Sequence, residues 1–357
     1  MKEDSKKFLF DYLNANSPVG AEATGQKVWL DYLRPYLDSY TVDVYGTVVA
    51  MLNPDKPYKV VIEAHADEIS WFVNYINPDG YIYVITNGGS DHVIAPSKRV
   101  HLHTEKGIVK GVFGWPAIHT RRGEKADIVP TPSNIFIDVG CSNKEEVEAL
   151  GIHVGTVITF EADLQELNEK FIYGRALDNR LGGFVIAEVM RRIKENNVQL
   201  PYNLCVVNSV QEEIGLRGAE MISRRLKPNV AVCVDVIHDT KSPMYDKIKE
   251  GDIACGKGGV LTYAPAVQNN LLKMLFKVAK DHNIPIQRAA SSRSTGTDTD
   301  AFAYSDVGVA SALISIPLKY MHTTVEMAHK DDIENVIRLY YEFLVQLPAN
   351  HDFRYFQ

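Results

Sequence analysis

Cysteine is scarce: the four in 357 residues, Cys141, Cys205, Cys233 and Cys255, form no Cys-x-x-Cys pair. That pattern excludes the disulfide framework of a small secreted domain and a thiolate zinc site. Cys205 and Cys233 stand inside apolar, strand-like runs, where cysteine serves as a small hydrophobe, and a reducing cytoplasm is the expected location. Long hydrophobic runs are missing too. The charged start Met1–Lys7 leads into Phe8-Leu9-Phe10-Asp11-Tyr12-Leu13, which is too short and too interrupted for a signal core or a membrane span. It predicts an amphipathic first helix. Positive charge is not in excess: 38 Lys and Arg stand against 45 Asp and Glu, a net charge of -7. Such a balance argues against non-specific binding to nucleic acid or anionic membranes. No internal repeat or low-complexity tract appears. What remains, a chain 45% hydrophobic and 23% charged, is the composition of a globular enzyme with one large domain and a smaller one.

The pattern along the chain alternates strands and helices on both sides of an interruption. Ser17-Pro18-Val19-Gly20 separates the first helix from a second predicted over Ala21–Leu37, and Tyr40–Leu52 reads as a hairpin around Gly46. Tyr58–Ala64 is an apolar strand that ends in His65-Ala66-Asp67-Glu68. From Ser70 to Asp163 the texture becomes short aromatic and β-branched runs broken by Gly, Pro and Asn, with one short helix expected at Lys144–Leu150. Such spacing suggests a small β-barrel or sandwich inserted into the first domain. Beyond it come a helix from Leu181, strands at Leu204–Val207, Val230–Val234 and Ala310–Ile316, and helices over Asn269–Asp281 and Asp331–Leu347. The expected fold class is therefore α/β, a mostly parallel sheet flanked by helices, with residues 1–69 and 164–357 forming one domain and 70–163 an inserted β-rich domain.

The stretch Val206–Gly218 organises the chemistry, because a buried strand delivers two adjacent carboxylates, Glu212 and Glu213, to a turn containing Gly215 and Gly218. Neighbouring residues of an extended strand face opposite ways, so both reach one pocket only if the strand has ended and the chain is turning. Other polar clusters also follow apolar strands or open helices: His65 and Asp67, Asp178-Asn179, Asp235, and His322. Ligand sites of open α/β sheets gather at the carboxyl ends of strands, so these clusters are expected to converge. Several carboxylates in one desolvated cleft repel one another, and metal ions remove that conflict. One partition gives His65, Asp178 and Glu213 one divalent ion and Asp178, Asp235 and His322 a second, with Asp178 bridging. Three carboxylates and a bridging hydroxide then balance two dications, each with an open position as in catalytic zinc sites. Asp67 is placed to accept the free N–H of His65, and Glu212 is left as general base. Taken singly each cluster has a plainer reading: a His-x-Asp pair is often a surface or core pair, and Asp178-Asn179 also suits a helix cap.

The motifs Ala64-His65-Ala66-Asp67-Glu68-Ile69, Gly174–Arg180, Gln211-Glu212-Glu213-Ile214-Gly215-Leu216-Arg217-Gly218-Ala219, Val234-Asp235-Val236 and Tyr320-Met321-His322 together resemble the M42 metallo-aminopeptidases, the tetrahedral aminopeptidases. The resemblance spans nearly the whole chain. It implies two metals on His65, Asp178, Glu213, Asp235 and His322, Glu212 as the base and Asp67 orienting His65; an imidazole-carboxylate set of this kind accepts zinc, cobalt or manganese alike. It also implies that the insertion is a dimerisation domain within a homo-oligomeric, dodecameric shell that admits short peptides. Two departures stand near the expected cleft: Thr323-Thr324-Val325-Glu326 replaces the usual Ser-Pro-Val-Glu, and Val236-Ile237-His238-Asp239 follows Asp235 in place of a threonine-containing run. Gly296–Asp300 resembles the family's Gly-Thr-Asp segment but equally suits a turn and helix cap, and Lys257 suits either an acidic substrate side chain or solvent.

The expected activity is removal of N-terminal residues from short peptides by a metal-bound hydroxide. Two alternatives use the same residues. A glycosidase needs a carboxylate pair but neither metal nor imidazole ligands, and a non-catalytic peptide-binding assembly protein needs no base.

Overall fold

Lys59–His65, Asn203–Ser209, Val230–His238 and Ala310–Lys319 run parallel in a computed structural model that describes residues 2–121 and 128–356. They form the centre of an 11-stranded sheet, in the order 203–209, 59–65, 230–238, 310–319. Antiparallel strands extend both sides: Val48–Leu52 and Ser39–Val42 on one, Glu326–His329, Phe171–Gly174 and Gln165–Glu166 on the other, while Gly259–Tyr263 and Ile286–Ala290 branch from Ala310–Lys319. The two-residue period of a strand divides the apolar side chains between two cores. Val60, Ile62, Leu204, Val206, Val230 and Val232 meet the helices Glu3–Asn14, Ala23–Leu33, Leu177–Glu195, Asn269–Asp281 and Lys330–Gln346 on one face. Val61, Cys205, Val207, Ala231 and Cys233 meet Arg217–Leu226 and Asp298–Ala303 on the other. Burial on both faces is why these strands read as near-continuous apolar runs. Phe184 lies at the centre of the larger core with no exposed surface, and Phe184→Ala is expected to cost about 3–5 kcal/mol.

The interruption in the α/β pattern is a closed six-stranded barrel, in the order Ser70–Ile76, Ile82–Asn87, Phe136–Asp138, Gly107–Gly114, Arg99–Thr104, Val157–Phe160. Closure leaves no free strand edge. The barrel has its own core, in which Trp71 meets Phe113 edge-on at 5.5 Å between ring centroids. The short helix spans Lys144–Ala149, with the Asn143 side chain accepting the Glu146 N–H as its cap.

Several elements differ in extent from the sequence reading. The second helix stops at Leu33 because Pro35 lacks an N–H and disfavours helix before it, and a 3₁₀ turn, Arg34–Tyr36, follows. The helix expected from Leu181 has a kinked lead-in from Leu177, in which Asp178 and Asn179 keep non-helical backbone angles before the regular turns begin. The strand expected to end at Val234 runs on to His238, paired through Leu318, so Asp235 lies within it. Among the described residues, no helix is long and apolar enough to cross a membrane.

Candidate metal centre

The carboxyl ends of the central strands set the site. Ser209 pairs with His65 in the parallel register, and Cys233 pairs with Glu63, so Asp235, two residues further on, comes level with His65. After Ser209 the chain leaves the sheet and Glu212–Ile214 forms a 3₁₀ turn, which brings both glutamates to one side. Gly215 makes that turn at φ +115°, in the left-handed region that favours glycine. Gly218 is needed for a different reason: a Cβ there would stand 2.3 Å from the Val210 carbonyl oxygen. Asp178 is carried in by the opening of the Leu177–Glu195 helix, where it keeps extended ψ and precedes a cis peptide to Asn179. The Asn179 side-chain amide donates to the Val234 carbonyl at 2.7 Å, tying this turn to the strand that bears Asp235.

All six expected metal or base residues converge, with Asp67 behind them. His65 Nε2 lies 3.3 Å from Asp178 Oδ1, 3.8 Å from Glu212 and 3.9 Å from Asp235. His322 Nε2 lies 3.2 Å from the other Asp178 oxygen and 3.5 Å from Glu213. Two sets of donor atoms, His65–Asp178–Glu213 and His65–Glu212–Asp235, each fall within 4.8 Å of one another. The first of these is a triad that the sequence partition expects. The second half of that partition differs, since His322 pairs with Asp178 and Glu213, while Asp235 faces His65. Among the described residues no lysine or arginine pairs with Asp178, Glu212, Glu213 or Asp235; imidazoles are their partners in every ion pair.

Asp67 does more than flank His65. Its Oδ1 lies 3.4 Å from His65 Nδ1, whose shorter contact, 3.2 Å, is to the Asp67 main-chain oxygen. The two carboxylate oxygens accept the backbone N–H groups of Glu212 and Glu213 at 3.0 and 3.1 Å. One residue thereby fixes the imidazole and the turn of the two glutamates. Glu326 plays a matching part that the sequence reading did not assign. Its Oε2 accepts the N–H of Leu177 at 2.6 Å and that of Asp178 at 3.3 Å, and its Oε1 accepts the N–H of His322 at 2.7 Å. Its sequence signals were its place four residues after His322 and its match to the last residue of the Ser-Pro-Val-Glu that the resemblance leads one to expect. Gly296–Asp300 resolves into a turn and cap, with Thr297 accepting the Thr299 N–H. Asp298 within it shares Ser209 with Glu63 beneath the site.

The electrostatics are those of acids that resist ionising together. Burial pushes the Glu212 carboxyl up to about 10, and burial raises Asp235, Glu213 and Glu326 as well. Burial opposes charge on His65, but Glu212, Asp178 and Asp67 outweigh it and raise its pKa. The same contest leaves His322 at about 11, held up by Asp178 and Glu213. Asp178 runs the other way: burial would raise it, yet the two imidazoles hold it below the usual carboxylate range. Two imidazoles and three or four carboxylates at these separations are donor chemistry that suits divalent cations.

A profile described as M42 glutamyl aminopeptidase matches residues 46–339. The lysyl aminopeptidase of Pyrococcus furiosus is 35% identical over 323 residues, covering 89% of this chain and 90% of that protein. The TET aminopeptidase of a marine sediment Thaumarchaeota archaeon superposes with a TM-score of 0.92 at 28% identity, over 97% of each chain. The TET1 peptidase of Pyrococcus horikoshii, described as assembling into a tetrahedron or a large octahedral shell, gives 0.84 at 25% identity, over 96% of this chain and 100% of that one.

Proposed function

The chain belongs to the M42 aminopeptidase family and is thus a peptide-bond hydrolase, and from that premise we propose that it removes N-terminal residues from short peptides at a two-cation centre with Glu212 as general base. The observation that carries this reading is the position of Asp178, whose two carboxylate oxygens face His65 and His322 separately, at 3.3 and 3.2 Å. That geometry supports Asp178 as the shared ligand, with His65 and Asp235 completing one half-site and Glu213 and His322 the other. Divalent cations such as zinc, cobalt or manganese held there would polarise the scissile carbonyl and lower the pKa of a water. Glu212, on the His65 side and pinned at its N–H by Asp67, takes the proton from the attacking water and returns it to the leaving amine. Asp67 and Glu326 hold the ligand-bearing backbone and do not touch the reacting atoms. The glycosidase reading uses the same carboxylates but leaves both imidazoles without a role.

Residues 70–163 serve in this reading as the dimerisation domain of a closed homo-oligomer, as the assemblies of the TET relatives suggest. The four cysteines are all free thiols, which suits the cytoplasm. The test is a panel of amino-acyl anilides with the purified protein, before and after chelation and metal add-back. Activity that disappears with chelation and returns with Co2+, Zn2+ or Mn2+ is the expected result; full turnover by metal-free protein would overturn it.

A further inference from the structure

The barrel reaches into the site. Gly88 and Gly89 follow the Ile82–Asn87 barrel strand, and their backbone packs directly on two ligand side chains. A Cβ on Gly89 would lie 2.6 Å from His322 Nδ1, and one on Gly88 would lie 3.2 Å from the Glu213 Cβ. The loop is anchored on both sides. Asn87 donates to the Val19 carbonyl and to Ser70 Oγ at 2.8 Å each, and Ser90 Oγ donates to the Ser70 carbonyl at 2.7 Å. Further along, Lys98 Nζ donates to the Thr324 hydroxyl at 2.9 Å, two residues beyond His322. Its own carbonyl accepts the N–H of Phe113 at 2.8 Å, so the lysine is fixed to the barrel wall.

We propose that the barrel is a structural part of the Glu213–His322 half-site, with Gly88, Gly89 and Lys98 acting as positioning residues that hold these two ligands for the cation. The inference rests on the two-cation reading above and adds a second task to a domain otherwise assigned to assembly. Outer contacts that orient metal ligands are worth roughly 10–100-fold in metal affinity. An alanine at position 89 displaces the His322 ring, whereas loss of the Lys98–Thr324 bond frees the loop that carries it.

The test uses the full-length protein and the variants Gly89→Ala, Lys98→Met, Thr324→Val and the Lys98→Met/Thr324→Val double. Co2+ affinity and stoichiometry are measured by titration, the visible spectrum of the cobalt-loaded protein reports ligand geometry, and sedimentation gives the mass. Gly89→Ala should retain one tight ion, bind the second about 10–100-fold more weakly, and show an altered cobalt spectrum at unchanged mass. Each single loop variant should also weaken the second ion, and the double should be no worse than either, because one bond is lost in all three. If Gly89→Ala does not fold, the Lys98–Thr324 cycle decides alone. Parental affinity and spectrum in the loop variants would overturn the proposal, as would strictly additive losses or a weakening that appears only with a fall in mass. A parent that takes up no divalent ion would sink the two-cation reading and this inference with it; a parent with two ions and variants that match it would sink this inference alone.

Discussion

Glu326 Oε1 accepts the backbone N–H of His322 at 2.7 Å, while the other oxygen of the same carboxylate accepts the N–H groups of Leu177 and Asp178. A strand paired on both sides, with Ala310–Lys319 and with Phe171–Gly174, thus holds the segments that carry Asp178 and His322. Glu326→Gln puts an amide NH2 against one of these N–H donors. In a residue only 2% exposed such a mismatch is expected to cost about 1–3 kcal/mol. Thermal melting should show the loss, and metal analysis should show weakened binding. An unchanged melting temperature with full metal content would mean that the three contacts do not matter.

Asp178 stands between the two histidines, so its removal should be felt on both sides. Asp178→Ala is expected to lower the metal content by two ions and to abolish peptidase activity. Asp235→Ala and Glu213→Ala should each spare one ion. Elemental analysis of the dialysed variants distinguishes these patterns, and loss of a single ion from Asp178→Ala would contradict the bridging assignment.

The response to pH should invert with metal loading. In protein stripped by chelation, Glu212 titrates at about 10 against about 4.3 unfolded. Between those values the folded state holds a proton that the unfolded state has lost, and stability falls as pH rises. His322, raised to about 11 from about 6.5 unfolded, contributes stability that is full below the lower value and is lost as pH climbs through the higher one. Asp178, depressed, contributes only above the unfolded carboxylate value and loses that contribution in acid, so it is constant near neutrality. Metal uptake displaces the protons from both groups. The gap in melting temperature between metal-loaded and stripped protein should therefore widen from pH 5 to pH 8. A gap that narrows over that range would contradict the assignment of these groups to the cation site.

The central strands were legible because burial on both faces leaves an unbroken apolar signature, as in Leu204–Val207. The polar residues that crown them were legible because acids and histidines at strand ends have no core role. What could not be read was partnership. His322 sits with Glu213 and not with Asp235, and only the register of the parallel strands, which brings Asp235 level with His65, decides that. Glu326 stood in a noted motif, but its task was not legible because it is performed on backbone N–H groups from distant segments, which leave no pattern in side-chain type. The strands Gly259–Tyr263 and Glu326–His329 are too short and too mixed to signal themselves, and Gly89 reveals its purpose only when the His322 ring is found beside it.

Replacing residues 70–163 with a short linker should reduce the particle in solution from a large oligomer to a small species, if the barrel mediates pairing. The same deletion removes Gly88, Gly89 and Lys98 from the site, so the shortened protein should also lose its second ion. Sedimentation and metal analysis report the two effects separately. An unchanged mass would remove the assembly role from the barrel.

Glu212 and Glu213 are adjacent, share the Asp67 clamp, and yet face different partners: Glu212 lies toward His65 and Glu213 toward His322. Their conservative variants should separate base from ligand. Glu213→Gln exchanges an anionic donor for a neutral amide beside His322, so the ion on that side should be lost or weakened. Glu212→Gln preserves shape and the backbone contact to Asp67 but removes the proton acceptor. Turnover should then fall at least about 100-fold, the usual scale for general acid–base catalysis, while both ions stay bound and KM changes little. Metal content and steady-state kinetics on the same preparations test both halves. Loss of an ion from Glu212→Gln with both retained in Glu213→Gln would exchange the two roles, and make Glu212, with His65 and Asp235, the ligand set of the first half-site.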